Sequence, residues 1–108
     1  MKVNTNDVIL EMLAAIKGTV SENWEEVKTT ANQFLQRRKA RMELLAETLE
    51  KGEITPARFK SRLEDEKLLL EAELNAMAVI SKAIAQKAAN AAIDVFEKAI
   101  LAAISTIL

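Results

Sequence analysis

Residues 76–108 read AMAVISKAIAQKAANAAIDVFEKAILAAISTIL. Of these 33 positions 23 are apolar, mostly Ala and Ile, and only Lys82, Lys87, Asp94, Glu97 and Lys98 carry charge. A helix at a protein surface hides one apolar stripe and wets the rest. This stretch carries two. Ile84, Ala88, Ala91, Val95, Ala99 and Ala102 make one; Ile93, Phe96, Ile100, Ile104 and Ile107 make the other. Two stripes require two packing partners. The second is expected to come from outside the chain, which makes Ile93, Phe96, Ile100, Ile104 and Ile107 the expected oligomer interface.

Upstream, Gly52-Glu53-Ile54-Thr55-Pro56 is the clearest punctuation in the chain. Gly52 suits the position just past a helix end, Thr55 an N-cap, and Pro56 a first helical turn, where its missing N–H costs nothing. No Gly or Pro follows Pro56, so a helix C is expected over about 56–106. Its first half has a single stripe of Phe59, Leu63, Leu70, Leu74 and Met77. Before the turn, Trp24, Val27, Ala31, Phe34 or Leu35, Met42, Leu45 and Leu49 recur at steps of three and four. These predict a helix B over about 20–51. Arg38 interrupts that stripe.

A helix A is expected over about 6–17, capped by Asn4, Thr5 or Asn6 and carrying Ile9, Met12, Leu13 and Ile16, with Val20 a further position at the same spacing. Gly18 then interrupts, and Thr19 with Glu22 three residues later reads as a capping box. Two structures fit, a sharp turn at Gly18 or a helix that runs through with a local kink. Helices A and B laid end to end match the length of C. The expected fold is therefore all-α, a single domain over 1–108. It is a long antiparallel helical hairpin that associates into a helical bundle, with two hairpins completing a coiled-coil-like four-helix bundle. Pairing about the turn brings helix A to the second half of C and Arg38 to Glu66 or Glu73. A compact three-helix bundle, with A folded back at Gly18, is the alternative.

Composition narrows the function. The net charge is −1, charged residues make up 29%, and there are two Gly, one Pro, four aromatics, no Cys, no His and no Tyr among 108 residues. Without His or Cys the commonest general base, metal ligand and thiolate nucleophile are missing. The expectation is a non-enzymatic protein with no cofactor and no metal. The N-terminus makes a poor export signal, since Asp7 and Glu11 interrupt its apolar run. The longest uncharged run, Ala99–Leu108, is half the length of a membrane span. A cytoplasmic location is expected.

Four constellations are candidates for chemistry or binding. Arg37, Arg38, Lys39 and Arg41 form the densest positive patch and suit anion or nucleic-acid contact. A solvated helix face with Glu43 and Glu47 alongside is the plainer reading. Glu64, Asp65, Glu66, Glu71 and Glu73 resemble a metal-site run only superficially, because bundle sites pair Glu with His. Met12, Met42 and Met77 read as core filling, and Trp24 as a residue sealing the junction of A and B. The wide apolar arc of the last segment also fits a membrane-associated amphipathic helix, although its basic face is sparse.

Leu45-Ala46-Glu47, Leu49, Gly52-Glu53-Ile54-Thr55-Pro56 and Phe59, within residues 45–66, resemble the helix–Gly-x-Ile-Thr–helix pattern of SHOCT-type bacterial oligomerisation modules. The resemblance implies association and nothing catalytic. The reading is a structural or protein-interaction module, a homo-oligomer (a dimer being favoured) that self-associates through helix C. Protein partners are compatible with it; nucleic-acid and membrane association are the weaker alternatives.

Overall fold

A computed structural model describes residues 3–105. It is all-α, with helices α1 (Thr5–Val20), α2 (Trp24–Glu50), α3 (Pro56–Ala76) and α4 (Lys82–Ser105), and a short 3₁₀ turn, Ser21–Asn23, between the first two.

The Asn4 side chain caps α1 by accepting from the backbone N–H of Asn6 at 3.0 Å and of Asp7 at 3.3 Å. The helix then runs through Gly18 rather than stopping there. Thr19 lies inside it and donates its hydroxyl to the Ala15 carbonyl at 3.0 Å, so the Thr19–Glu22 spacing opens no helix. Continuing one more turn places Val20 in the core, 3% exposed. The reversal falls at Ser21, which takes a left-handed φ of 53°.

Helices A and B are therefore not collinear. The molecule is 42 Å along its longest axis, and α2 with its 27 residues spans about 40 Å by itself. Helix α1 must lie back alongside it. A hydrogen bond from Lys39 Nζ to Asn6 Oδ1 at 2.8 Å ties the start of α1 to the middle of α2.

The turn at 51–55 forms as its residues suggest. Gly52 has φ 73°. Its N–H donates to Leu49 O at 3.0 Å, and the Glu53 N–H donates to Thr48 O at 2.9 Å. These two bonds are a Schellman motif, which satisfies carbonyls otherwise orphaned at the helix end. Thr55 Oγ1 accepts from the Arg58 N–H at 3.1 Å, with Pro56 in the first helical turn.

The expected continuous helix C is two helices. After Ala76 the chain leaves the helix. Ala78 adopts φ 60°, and its N–H reaches Asn75 O at 3.2 Å. Ser81 starts α4, its Oγ accepting from the Ile84 N–H at 3.1 Å and its carbonyl from the Ala85 N–H at 2.9 Å. The break lets α4 fold back on α3. Each helix then packs on two neighbours, α1 on α2 and α4, and α3 on α2 and α4, in an up-down-up-down arrangement. The expected all-α helical bundle is thus present, and among the described residues it is closed within one chain by four helices rather than laid out as an extended hairpin or as three helices.

That closure overturns the reason for requiring a second copy. The buried line of α4 is Ala85, Ala88, Ala89, Ala92, Ile93, Phe96 and Ile100. It lies between the two stripes read from the sequence and takes from both. Contact with α1 is the most extensive in the bundle, because alanines on α4 let the two backbones approach closely. The Phe59 and Phe96 rings meet at 6.5 Å between centroids. The accessible surface is 6316 Å², against about 6,000 Å² for an ordinary folded monomer of 12.0 kDa.

Candidate functional site

Across the α2–α3 seam lies the only buried charged residue among those described, Glu66, which is 2% exposed. It sits on the core-facing line of α3 between Leu63 and Leu70. An isolated carboxylate there is strongly unfavourable, and Arg38 answers it. Arg38 Nε donates to Oε2 at 2.8 Å and Nη2 to Oε1 at 2.5 Å, a two-point grip that matches the guanidinium fork to the carboxylate. Arg41 Nε stands 3.4 Å from the same Oε1. Two turns of α3 further on, Arg37 bonds Glu73 and lies 5.9 Å over the Phe34 ring.

The hydrogen bond to Glu66 raises the Arg38 pKa above its ordinary value, with burial acting against it and the carboxylate's charge adding to it. Elsewhere, bonding between close neighbours on one helix shifts only surface groups. The Lys28 ammonium lowers the Glu25 carboxyl, and Asp94 raises Lys98.

The four cations expected to form one anion-binding patch thus point to different internal partners. Arg37 goes to Glu73, Arg38 and Arg41 to Glu66, and Lys39 to Asn6. Of the five acidic residues singled out, Glu66 and Glu73 serve these pairs, and Glu64 bonds Lys67 at 2.6 Å. Among the described residues no group of His, Cys, Asp or Glu is arranged to hold a metal ion. Nor is any helix long and apolar enough to cross a membrane.

The expected interface residues are placed otherwise. Ile93, Phe96 and Ile100 are buried at 6%, 2% and 2% exposure by their own chain. Ile104 is half-buried against the core, and Ile107 lies outside the described residues. Met12 and Met42 are core, Met77 caps the end of α3, and Trp24 is half-buried at the start of α2.

Pattern reading missed the outer side of the α2–α3 seam. Two shallow grooves run along it. One, of about 270 Å³, is lined by Arg41, Leu44, Leu45, Thr48, Ile54 and Arg62. The other, of about 420 Å³, is lined by Phe34, Arg37, Arg38, Leu69, Ala72, Glu73 and Ala76. Leu44 and Leu69 stand 59% and 46% exposed beside them. The available signal was that neither leucine falls on its helix's core line. A third groove, between α3 and α4, is lined mainly by paired or alternating charges. A fourth, beside the start of α1, has Glu43, Glu47 and Glu50 along its rim and Phe96 and Ile100 at its floor. Comparison with protein-family models, with curated proteins and with solved structures finds no match to this chain.

Proposed function

We propose that the protein is a non-enzymatic interaction module that self-associates through the outer face of α2 and α3, the latter being the first half of the segment read as helix C. One observation carries this reading. Leu44 and Leu69, both well exposed, flank Arg37 and Arg41 along two aligned grooves. Arginine beside large apolar side chains is the composition of an interface core. The arginines are already neutralised by Glu66 and Glu73, so a partner at this face need not bring anions. A second copy suffices, because under a two-fold axis each copy offers its leucines to the other's groove. The resemblance of residues 45–66 to SHOCT-type modules points the same way.

The nucleic-acid reading draws less support. A phosphate would have to displace a carboxylate from Arg37 or Arg38, and Lys39 is engaged with Asn6.

Size-exclusion chromatography with light scattering over a concentration series tests the proposal. The expected result is a mass that rises from one chain toward two. Leu44→Glu and Leu69→Glu are expected to hold the chain at a single-chain mass with unchanged helical circular dichroism, since both positions are exposed. A wild-type protein that stays at 12.0 kDa at every concentration overturns the reading.

A further inference from the structure

The connection between α3 and α4 sets local preference against the global fold. Residues 77–81 are Met-Ala-Val-Ile-Ser. Nothing in them stops a helix, and alanine is the strongest helix former of all. Yet Ala78 holds φ 60°, a conformation that is unfavourable for any residue with a Cβ. The break is held by few local bonds, namely the 3.2 Å bond from Ala78 to Asn75 and the Ser81 cap on Ile84. What keeps it is the packing of α4 on α1 and α3. A straight helix through 77–81 would relieve Ala78 and restore the intervening backbone ladder.

We infer that α3 and α4 can straighten into one rod of about fifty residues, roughly 75 Å long, and that two such chains exchange α4 helices. In the closed chain α3 and α4 are antiparallel neighbours. Two straightened rods lying antiparallel put the α4 of each copy against the α3 and α1 of the other. The contacts of α4 with α1 and α3 are then remade between chains, while those of α1 with α2 and of α2 with α3 stay within each chain. No new surface is required, and this is the condition that makes exchange inexpensive. The partner is a second copy of this chain, and its binding surface is the α1–α3 trough that α4 now fills. This interaction is separate from docking at the α2–α3 face and does not depend on it.

The chain has no cysteine, so a pair placed across the α3–α4 groove, Glu64→Cys with Asn90→Cys, reports connectivity. The protein is taken at high concentration through partial unfolding and back, diluted, oxidised, and separated under denaturing, non-reducing conditions. Exchange yields disulfides between chains, seen as a covalent species of twice the chain mass. In the same background Ala78→Gly favours the closed chain and, because each dimer holds two hinges, raises the dimer dissociation constant about a hundredfold. Ser81→Ala removes a cap that only the closed chain uses and lowers that constant several-fold. Disulfides confined to single chains overturn the exchange, as does a covalent dimer whose yield Ala78→Gly leaves unchanged. Association with within-chain disulfides that Leu44→Glu abolishes leaves the docking face standing, whereas no association in either assay overturns both.

Discussion

Arg38 and Glu66, 28 residues apart, hold each other by two hydrogen bonds across the α2–α3 seam, with the carboxylate on the core side. The pair favours one register of α2 on α3, because sliding either helix breaks the two-point bond to a buried carboxylate. A buried pair of this kind contributes modestly to net stability but makes the loss of one partner costly.

Substitution at that pair is therefore expected to be strongly non-additive. Arg38→Met should lower unfolding free energy by roughly 2–4 kcal/mol, somewhat less than full isolation of the carboxylate because Arg41 remains 3.4 Å away. Glu66→Leu should be milder, since the freed guanidinium can reach solvent. The double variant should recover most of the loss. Urea unfolding of the four proteins measures the cycle; additive losses would contradict the account.

The two glycines should respond with opposite sign. Gly18 lies within α1, and a Cβ there meets nothing within 4 Å. Gly18→Ala should stabilise the protein by about 1 kcal/mol through helix propensity and a less free unfolded chain. Gly52 is equally uncrowded but has φ 73°, so Gly52→Ala should destabilise by about 1 kcal/mol or more. Thermal melts compared with wild type decide both.

At Ser21 the backbone sits at φ 53° and ψ −115°, a region natural to glycine alone. Ser21→Gly should raise stability by about 1 kcal/mol, and the gain should add to that of Gly18→Ala only in part, because the two lie within one turn. A destabilised Ser21→Gly protein would mean that the turn is set by something other than backbone strain.

Charges placed in α4 should unfold the chain rather than merely separate copies. Ile100 is 2% exposed, so Ile100→Asp buries an unpaired carboxylate in the core. The expected outcome is loss of the cooperative melt at any protein concentration. Phe96→Ala, which removes the ring packed at a tilt against Phe59, should cost about 3–5 kcal/mol. A folded, purely monomeric Ile100→Asp protein would return this residue to an intermolecular role.

Much of the bundle was readable from residue types. The Gly52–Pro56 turn follows from three residues each suited to one backbone position. Counting outward from it brings helix A to the second half of helix C and Arg38 to Glu66 or Glu73; α1 does meet α4, and of the two carboxylates Arg38 takes Glu66. The break at 77–81 was not readable, because Met, Ala, Val and Ile all continue a helix and Ser81 is a lone cap without an acidic residue three places on. That break arises from tertiary packing, which overrides propensity. At Gly18 residue types leave two courses open, a sharp turn or a helix that runs through, and packing decides between them. A residue that often ends helices is carried inside one, because Val20 two places later has a core to enter. The Leu44–Leu69 face escaped notice since patterns search for repeated apolar positions, and these leucines lie off the repeat.

The three connections differ in how they come to be. Only the Gly52 turn is built from residues that favour it unaided; those at Ser21 and Ala78 hold strained backbones that the finished packing must enforce. Folding should accordingly begin at the α2–α3 hairpin, with α1 and α4 docking after the rate-limiting step. Truncations at Leu49 and Leu63 are then expected to slow refolding, while those at Met12 and Ala88 chiefly hasten unfolding.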